Sequence, residues 1–318
     1  VGRSLATQTL TITQGPPLIG GTVDQYNAIV QHDFAQVHAA VAASADLDDV
    51  PSNLDPPLAN AAAEISHQFN GCFRKIPEIG QPECAMGDTA SPTTVALIGD
   101  SNAAMWTPGF QQVAAQRHWR LELLAKASCP MLDLPTIHPF AHREYTECDQ
   151  WRAEIAARLQ TEHPSLIVYS VTRGYGLPDA PLTAWSYNPA WIDSMTRLVQ
   201  QLRGTGAKVL VLGPIPLAPL LAPLAPNCLS GHLDDATACS PLRSVAVKDP
   251  GIAAESVAVK TGGGQYADLT DLFCTAERCP VIVGNTLVYF NRGHLTLEYS
   301  RLMTPVLGAL ADRTLAQR

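Results

Sequence analysis

From Thr93 onward, short apolar runs alternate with stretches in which apolar residues recur at helical spacing. "TTVALIG" (93–99), "RLELLAK" (120–126), "SLIVYSV" (165–171) and "KVLVLG" (208–213) read as buried strands. Between them the pattern predicts helices near 103–117, 149–161 and 188–204, and another over 297–316 closes the chain. A short strand is expected at "QYADL" (265–269). Strands of this kind, separated by single helices, imply an α/β fold with a mainly parallel sheet covered on both faces. The first 92 residues have another texture. "LATQTLTIT" reads as extended, "VDQYNAIVQHDFAQVHAAVAAS" as a helix, and a short helix is expected from about Pro57. We therefore expect residues 1–92 to form a linker or extension that packs on a domain spanning 93–318.

Ligands of such sheets sit at the carboxyl ends of the strands. The first strand ends in Gly99-Asp100-Ser101-Asn102, a tight turn leading into a helix. Ser101 there is open to two readings. It is a helix cap, its oxygen accepting from unpaired amides, or it is a nucleophile beside amides and a helix dipole that favour negative charge.

Composition narrows the classes. The 318 residues are 46% hydrophobic and 16% charged, enough for one large core. A net charge of −8 with no long basic run argues against a nucleic-acid surface. No apolar stretch reaches the roughly 20 residues of a membrane span. The 25 prolines punctuate loops such as "LGPIPLAPLLAPLAPNC" and form no repeat. Eight cysteines fall as near neighbours: Cys72 and Cys84, Cys129 and Cys148, Cys228 and Cys239, Cys274 and Cys279. An even, locally pairable set without Cys-x-x-Cys points to disulfides and an oxidising, extracytoplasmic compartment, although spacing leaves the connectivity open. Beginning at Val1 without an initiator Met, the chain reads as a processed or excised part of something longer.

A serine nucleophile requires a base. His138 and His142 stand four apart, but Pro139 between them speaks against a helical metal pair, so no metal site is expected. His294, in "LVYFNRGHLTLEYS", lies in a loop before the last helix, late in the chain as in many hydrolases.

Taken together, "VALIGDSNAAMW" and "NRGHLT" resemble the first and last blocks of the SGNH hydrolase superfamily. "DVPSNLDPPLANA", "AKASCPML", Cys148-x-x-Trp151 and "DLTDLFCTAERCPVIVGNTLVYFNRGHLT" are similar to the SGNH domains fused to bacterial acyltransferase-3 membrane proteins. The resemblance runs from about residue 48 to 304. It implies a three-layer α/β/α sandwich with Ser101 as nucleophile and His294 as base. It also implies acyl transfer, typically of acetyl, to a cell-envelope carbohydrate hydroxyl, with no cofactor. The acyl donor would be delivered by an acyltransferase-3 membrane domain of the same chain, and nucleic acid is not an expected partner. Hydrolysis of carbohydrate acetyl esters, or a decayed glycan-binding domain, are the rival readings.

Two departures stand out. The family's last block is Asp-x-x-His, but Asn291 stands three residues before His294. Asp268, Asp271 or a backbone carbonyl are alternatives for orienting the imidazole. The family's middle oxyanion blocks are not recognisable either. Asn102, Ser128, Ser170 and Arg173 lie at the corresponding strand ends and are the candidate oxyanion or substrate groups.

Overall fold

The computed structural model describes residues 6–16, 18–61, 69–175, 187–218 and 222–317. In chain order its elements are α1 (Val23–Ser44), β1 (Phe73–Arg74), β2 (Ala85–Gly87), β3 (Thr94–Gly99), α2 (Ser101–Arg117) and β4 (Arg120–Lys126). Then come α3 (Thr146–Glu162), β5 (Leu166–Ser170), α4 (Pro189–Arg203), β6 (Lys208–Leu212), α5 (Ala225–Gly231) and α6 (Arg243–Ala246). The rest are α7 (Asp249–Thr261), β7 (Gln265–Ala267), β8 (Ile282–Val283), β9 (Thr286–Leu287), α8 (Leu297–Leu302) and α9 (Thr304–Leu315). They group into two compact units.

One unit comprises Ile65–Pro214 and Asp249–Asp268. Among the described residues it carries a seven-stranded sheet in the order β1-β4-β3-β5-β6-β7, with β2 paired to the free part of β4. Every pairing is parallel except β2 with β4. The path steps from β3 to β4 and then back past β3 to β5. Right-handed crossovers then require α2 on one face and α3, α4 and α7 on the other, giving three layers, α/β/α; α4 packs against α7. Burial on both faces explains why Val95, Leu97, Ile98, Ile167, Val168 and Leu210 form unbroken apolar runs.

β1 lies within the Cys72–Cys84 loop and β2 begins directly after Cys84, and the sequence pattern gave no strand at either. Segments of two or three residues carry no periodicity of their own; they exist because β4 offers an edge. Helix α7 was also not expected, although Gly262 and Gly263 mark its end.

The other unit comprises Val1–Glu64, Ile215–Lys248 and Leu269–Arg318. In it α1, opened by a Thr22/Gln25 capping box, packs against α9. The segment before α1 is irregular and is held by reciprocal Thr7–Asn53 hydrogen bonds of 3.0 and 2.8 Å. The helix expected from Pro57 is a single 3-10 turn, Leu58–Asn60, and residues 62–68 lie outside the described residues. The single terminal helix expected over 297–316 is broken at Met303. Pro305 has no N–H to donate to the Arg301 carbonyl, and its ring would collide with that oxygen. The Thr304 hydroxyl donates to the carbonyl instead, at 2.7 Å.

Disulfides join Cys72–Cys84, Cys129–Cys148, Cys228–Cys239 and Cys274–Cys279. No described helix is long and apolar enough to cross a membrane.

Candidate active site

The turn at Ser101 is built from the end of β3. Gly99 has φ of 145°, and a Cβ there would lie 1.8 Å from the Ser170 carbonyl oxygen, so the β3–β5 approach requires glycine. Asp100 follows as the N-cap of α2. Its carboxylate is fully buried and accepts from the Asn102 amide at 2.8 Å, the Thr172 amide at 3.0 Å and the Tyr175 hydroxyl at 2.5 Å. Burial raises its pKa above the usual carboxylate value, against the pull of these donors. The Ala103 and Ala104 amides donate to the Asp100 carbonyl.

Capping is thus done by Asp100. Ser101 stands one residue later, at the first helical position, and is half-buried. A cap therefore does not account for a serine at this place.

The neighbouring strand ends carry the other candidates of this unit. Asn102 is buried, and its amide is taken by Asp100. Ser128 sits in the turn after β4 with φ of 52°, and Ser170 is buried at the end of β5, in register with Gly99. Lys126, the last residue of β4, donates to the carbonyls of Lys75, Ile76 and Glu78, and burial pushes its pKa down to about 8.

Arg173 is fully enclosed. Its Nε and Nη2 donate to Glu255 at 3.0 and 2.6 Å, and it also binds the carbonyls of Val171 and Leu212. Glu255, on α7, further accepts from Trp191 Nε1 at 3.0 Å and the Tyr266 hydroxyl at 2.9 Å. The guanidinium is therefore turned into the fold. By gripping the Val171 carbonyl it fixes the peptide next to Thr172, whose amide holds Asp100.

Asn291 and His294 belong to the other unit, on the turn between β9 and α8. Asn291 Oδ1 accepts from the Gly293 amide at 3.0 Å and stands 2.9 Å from His294 Nδ1. A backbone amide can only donate, so the atom it meets must be the side-chain oxygen. The same oxygen then requires the proton of His294 on Nδ1, which leaves Nε2 as the unprotonated nitrogen. The imidazole is half-buried and stacked on Phe290 at 5.6 Å. Burial lowers its pKa from 6.5 to about 4, so it is neutral at pH 7.

A family model described as SGNH domain (fused to AT3 domains) matches residues 68–309. The chain belongs to the SGNH domains of this kind. Among solved structures, this SGNH domain is similar to the periplasmic domain of the lipopolysaccharide acetyltransferase of Salmonella ser. Paratyphi A. The two are 17% identical over 74% of this chain and 83% of that one, with a TM-score of 0.51. A putative SGNH hydrolase from Slackia heliotrinireducens is 15% identical over 69% and 98%, with a TM-score of 0.39. A carbohydrate esterase family 2 enzyme from Corynascus thermopiles (Myceliophthora fergusii) is 16% identical over 70% and 67%, with a TM-score of 0.44. At such identities the likeness concerns the fold. A search of curated proteins gives no match.

Sequence reasoning missed four groups of this SGNH domain's sites: Asp100 as cap, Tyr175, Glu255 and the Gly293 amide. Asp100 was open to recognition as an N-cap. The others act over contacts that local pattern does not encode.

Proposed function

We propose that this domain is an O-acyltransferase that carries an acyl group, acetyl in the simplest case, on Ser101 and passes it to a hydroxyl of a cell-envelope carbohydrate. It works outside the cytoplasmic membrane, on the periplasmic or cell-wall side, tethered to it in the full-length protein, with an AT3 membrane domain of the same chain supplying the donor. His294 Nε2 takes the serine proton as Oγ attacks the acyl carbonyl. The oxyanion forms at the positive end of α2, where the Ser101 amide and a side chain of the adjacent strand end, Ser128, are the donors in this reading. Collapse expels the donor's leaving group with that proton. The acceptor hydroxyl then gives its proton to Nε2 and attacks the acyl-serine, which frees Ser101. The chemistry needs no cofactor.

The observation that carries the reading is the double acceptance at Asn291 Oδ1. An amide in place of the family's carboxylate would be harmful if its NH2 faced the ring and forced the wrong tautomer. The Gly293 amide excludes that orientation. The test is turnover of a chromogenic acetyl ester, with and without a carbohydrate acceptor, by wild type, Ser101→Ala and His294→Ala. Turnover lost in both variants supports the reading. Release to water alone, with no acylated sugar, favours an esterase. No turnover with any acyl donor favours a decayed glycan-binding domain.

A further inference from the structure

One disulfide differs from the other three. Cys72, Cys84, Cys129, Cys148, Cys274 and Cys279 are buried, none more than 8% exposed. Cys228, on α5, and Cys239, at the end of the 3-10 turn Ala236–Cys239, are both only half-buried. Exchange requires a thiolate to reach a disulfide sulfur, so the accessible bridge is the labile one.

His232 stands four residues after Cys228, just past the end of α5. Its Nδ1 lies 2.9 Å from the Cys228 carbonyl oxygen and 3.9 Å from Cys228 Sγ. A carbonyl only accepts, so Nδ1 carries a proton, held close to that sulfur. A donor beside a sulfur favours its thiolate, which makes Cys228 the better leaving group of the pair. The chain between the two cysteines is anchored without the bridge. The Val50 amide donates to the Leu233 carbonyl at 2.9 Å, and the Ala236 amide to the Asp48 carbonyl at 2.6 Å.

Both sulfurs and His232 line a cleft of about 360 Å3, all within the unit that holds α1 and α9. Pro216, Pro241, Leu242 and Val245 form part of its wall. Among the described residues, no carboxylate lines it, and Arg292 is the only permanently charged side chain there. Arg292 Nε donates to the Ala222 carbonyl at 3.0 Å, which fixes the guanidinium at the cleft. Clefts of this size commonly take small molecules, and the sign of the charge here selects an anion.

We infer that this cleft is a thiol-exchange site that takes small anionic thiols onto Cys239. The incoming thiolate attacks Cys239 Sγ and forms a mixed disulfide. The Cys228–Cys239 bond breaks, and Cys228 leaves as a thiolate beside His232 Nδ1. A second thiolate attacks the bound thiol's own sulfur, which releases a disulfide of the small thiol and leaves Cys239 as a thiolate. The two thiols thus supply the two electrons that reduce the bridge. None of this depends on the acyl-transfer reading.

The test treats folded protein with 2-mercaptoethanesulfonate, 2-mercaptoethanol or cysteamine at matched thiolate concentration and low salt. Free thiols are then blocked with N-ethylmaleimide, and unreduced peptides are mapped by mass spectrometry. We expect mercaptoethanesulfonate on Cys239, maleimide on Cys228 and the other three bridges intact. The anion should react at least about threefold faster than the cation, and Arg292→Gln should abolish that preference. The net charge of −8 would by itself favour the cation, so the order reports the cleft. His232→Ala should slow the first step by about threefold or more. Were a variant not to fold, the wild-type adduct position and anion-to-cation ratio decide. Equal opening of all four bridges, an adduct on Cys228, faster reaction with cysteamine, a rate unchanged in His232→Ala, or no adduct on folded wild type overturns the inference.

Discussion

Replacing Asn291 by Asp puts a charge where the structure has a neutral oxygen, at nearly constant shape. In wild type that oxygen lies 2.9 Å from His294 Nδ1 and 3.0 Å from the Gly293 amide nitrogen, and the imidazole pKa is lowered to about 4 by burial. Unit charges about 4 Å apart attract by about 4 kcal/mol at an effective dielectric constant near 20, an upper bound of about 3 pK units. Neighbouring opposite charges in proteins commonly deliver about 1 to 3 units. The acid limb of kcat/KM for an acetyl ester should therefore move from near pH 4 in wild type to between about pH 5 and 7 in Asn291→Asp. Above that limb the variant should be about 10- to 100-fold faster, because the imidazolium formed as serine attacks gains a counter-charge. Asn291→Leu, which offers no acceptor to the imidazole or the Gly293 amide, should lose most of the activity. Nitrogen-15 NMR of His294 gives the readout without turnover, with wild type showing the proton on Nδ1. A wild-type proton on Nε2, or an acid limb that does not move in Asn291→Asp, would refute the reasoning.

Ser101→Ala should leave unfolding stability within about 1 kcal/mol of wild type. Asp100→Ala should cost about 2 to 3 kcal/mol in urea, because it removes the cap together with the carboxylate that accepts from the Thr172 amide and the Tyr175 hydroxyl; equal costs for the two would contradict the assignment of the cap. Glu255→Leu leaves Arg173 buried without its counter-charge and should destabilise by about 3 to 5 kcal/mol, with a loss under 1 kcal/mol contradicting the picture. His294 has a folded pKa near 4 against 6.5 unfolded, so the unfolded chain binds the proton more readily. Its contribution is present above about pH 6.5 and is lost as the pH falls toward 4, by up to about 3 kcal/mol. His294→Gln should flatten stability over that window, and an unchanged slope would count against a buried neutral imidazole.

By itself the sequence determined the parallel core, the strand–turn–helix at Gly99-Asp100-Ser101, the late histidine and the family. These are local matters: an apolar run, a tight glycine turn, and a motif within a few residues. It also held the break at Met303 in plain view, since Pro305 cannot continue a helix, although apolar periodicity outweighed it in the reading. Tertiary structure decided the rest. β1 and β2 are strands only because β4 lends them an edge, so nothing within "FR" or "AMG" announces them. Arg173, a substrate candidate by its place after β5, is claimed by Glu255, 82 residues onward. The sequence could say that an amide replaces the carboxylate at 291, but not which end of it faces the ring. That was fixed by the Gly293 backbone, because an N–H donor tolerates only an oxygen opposite it.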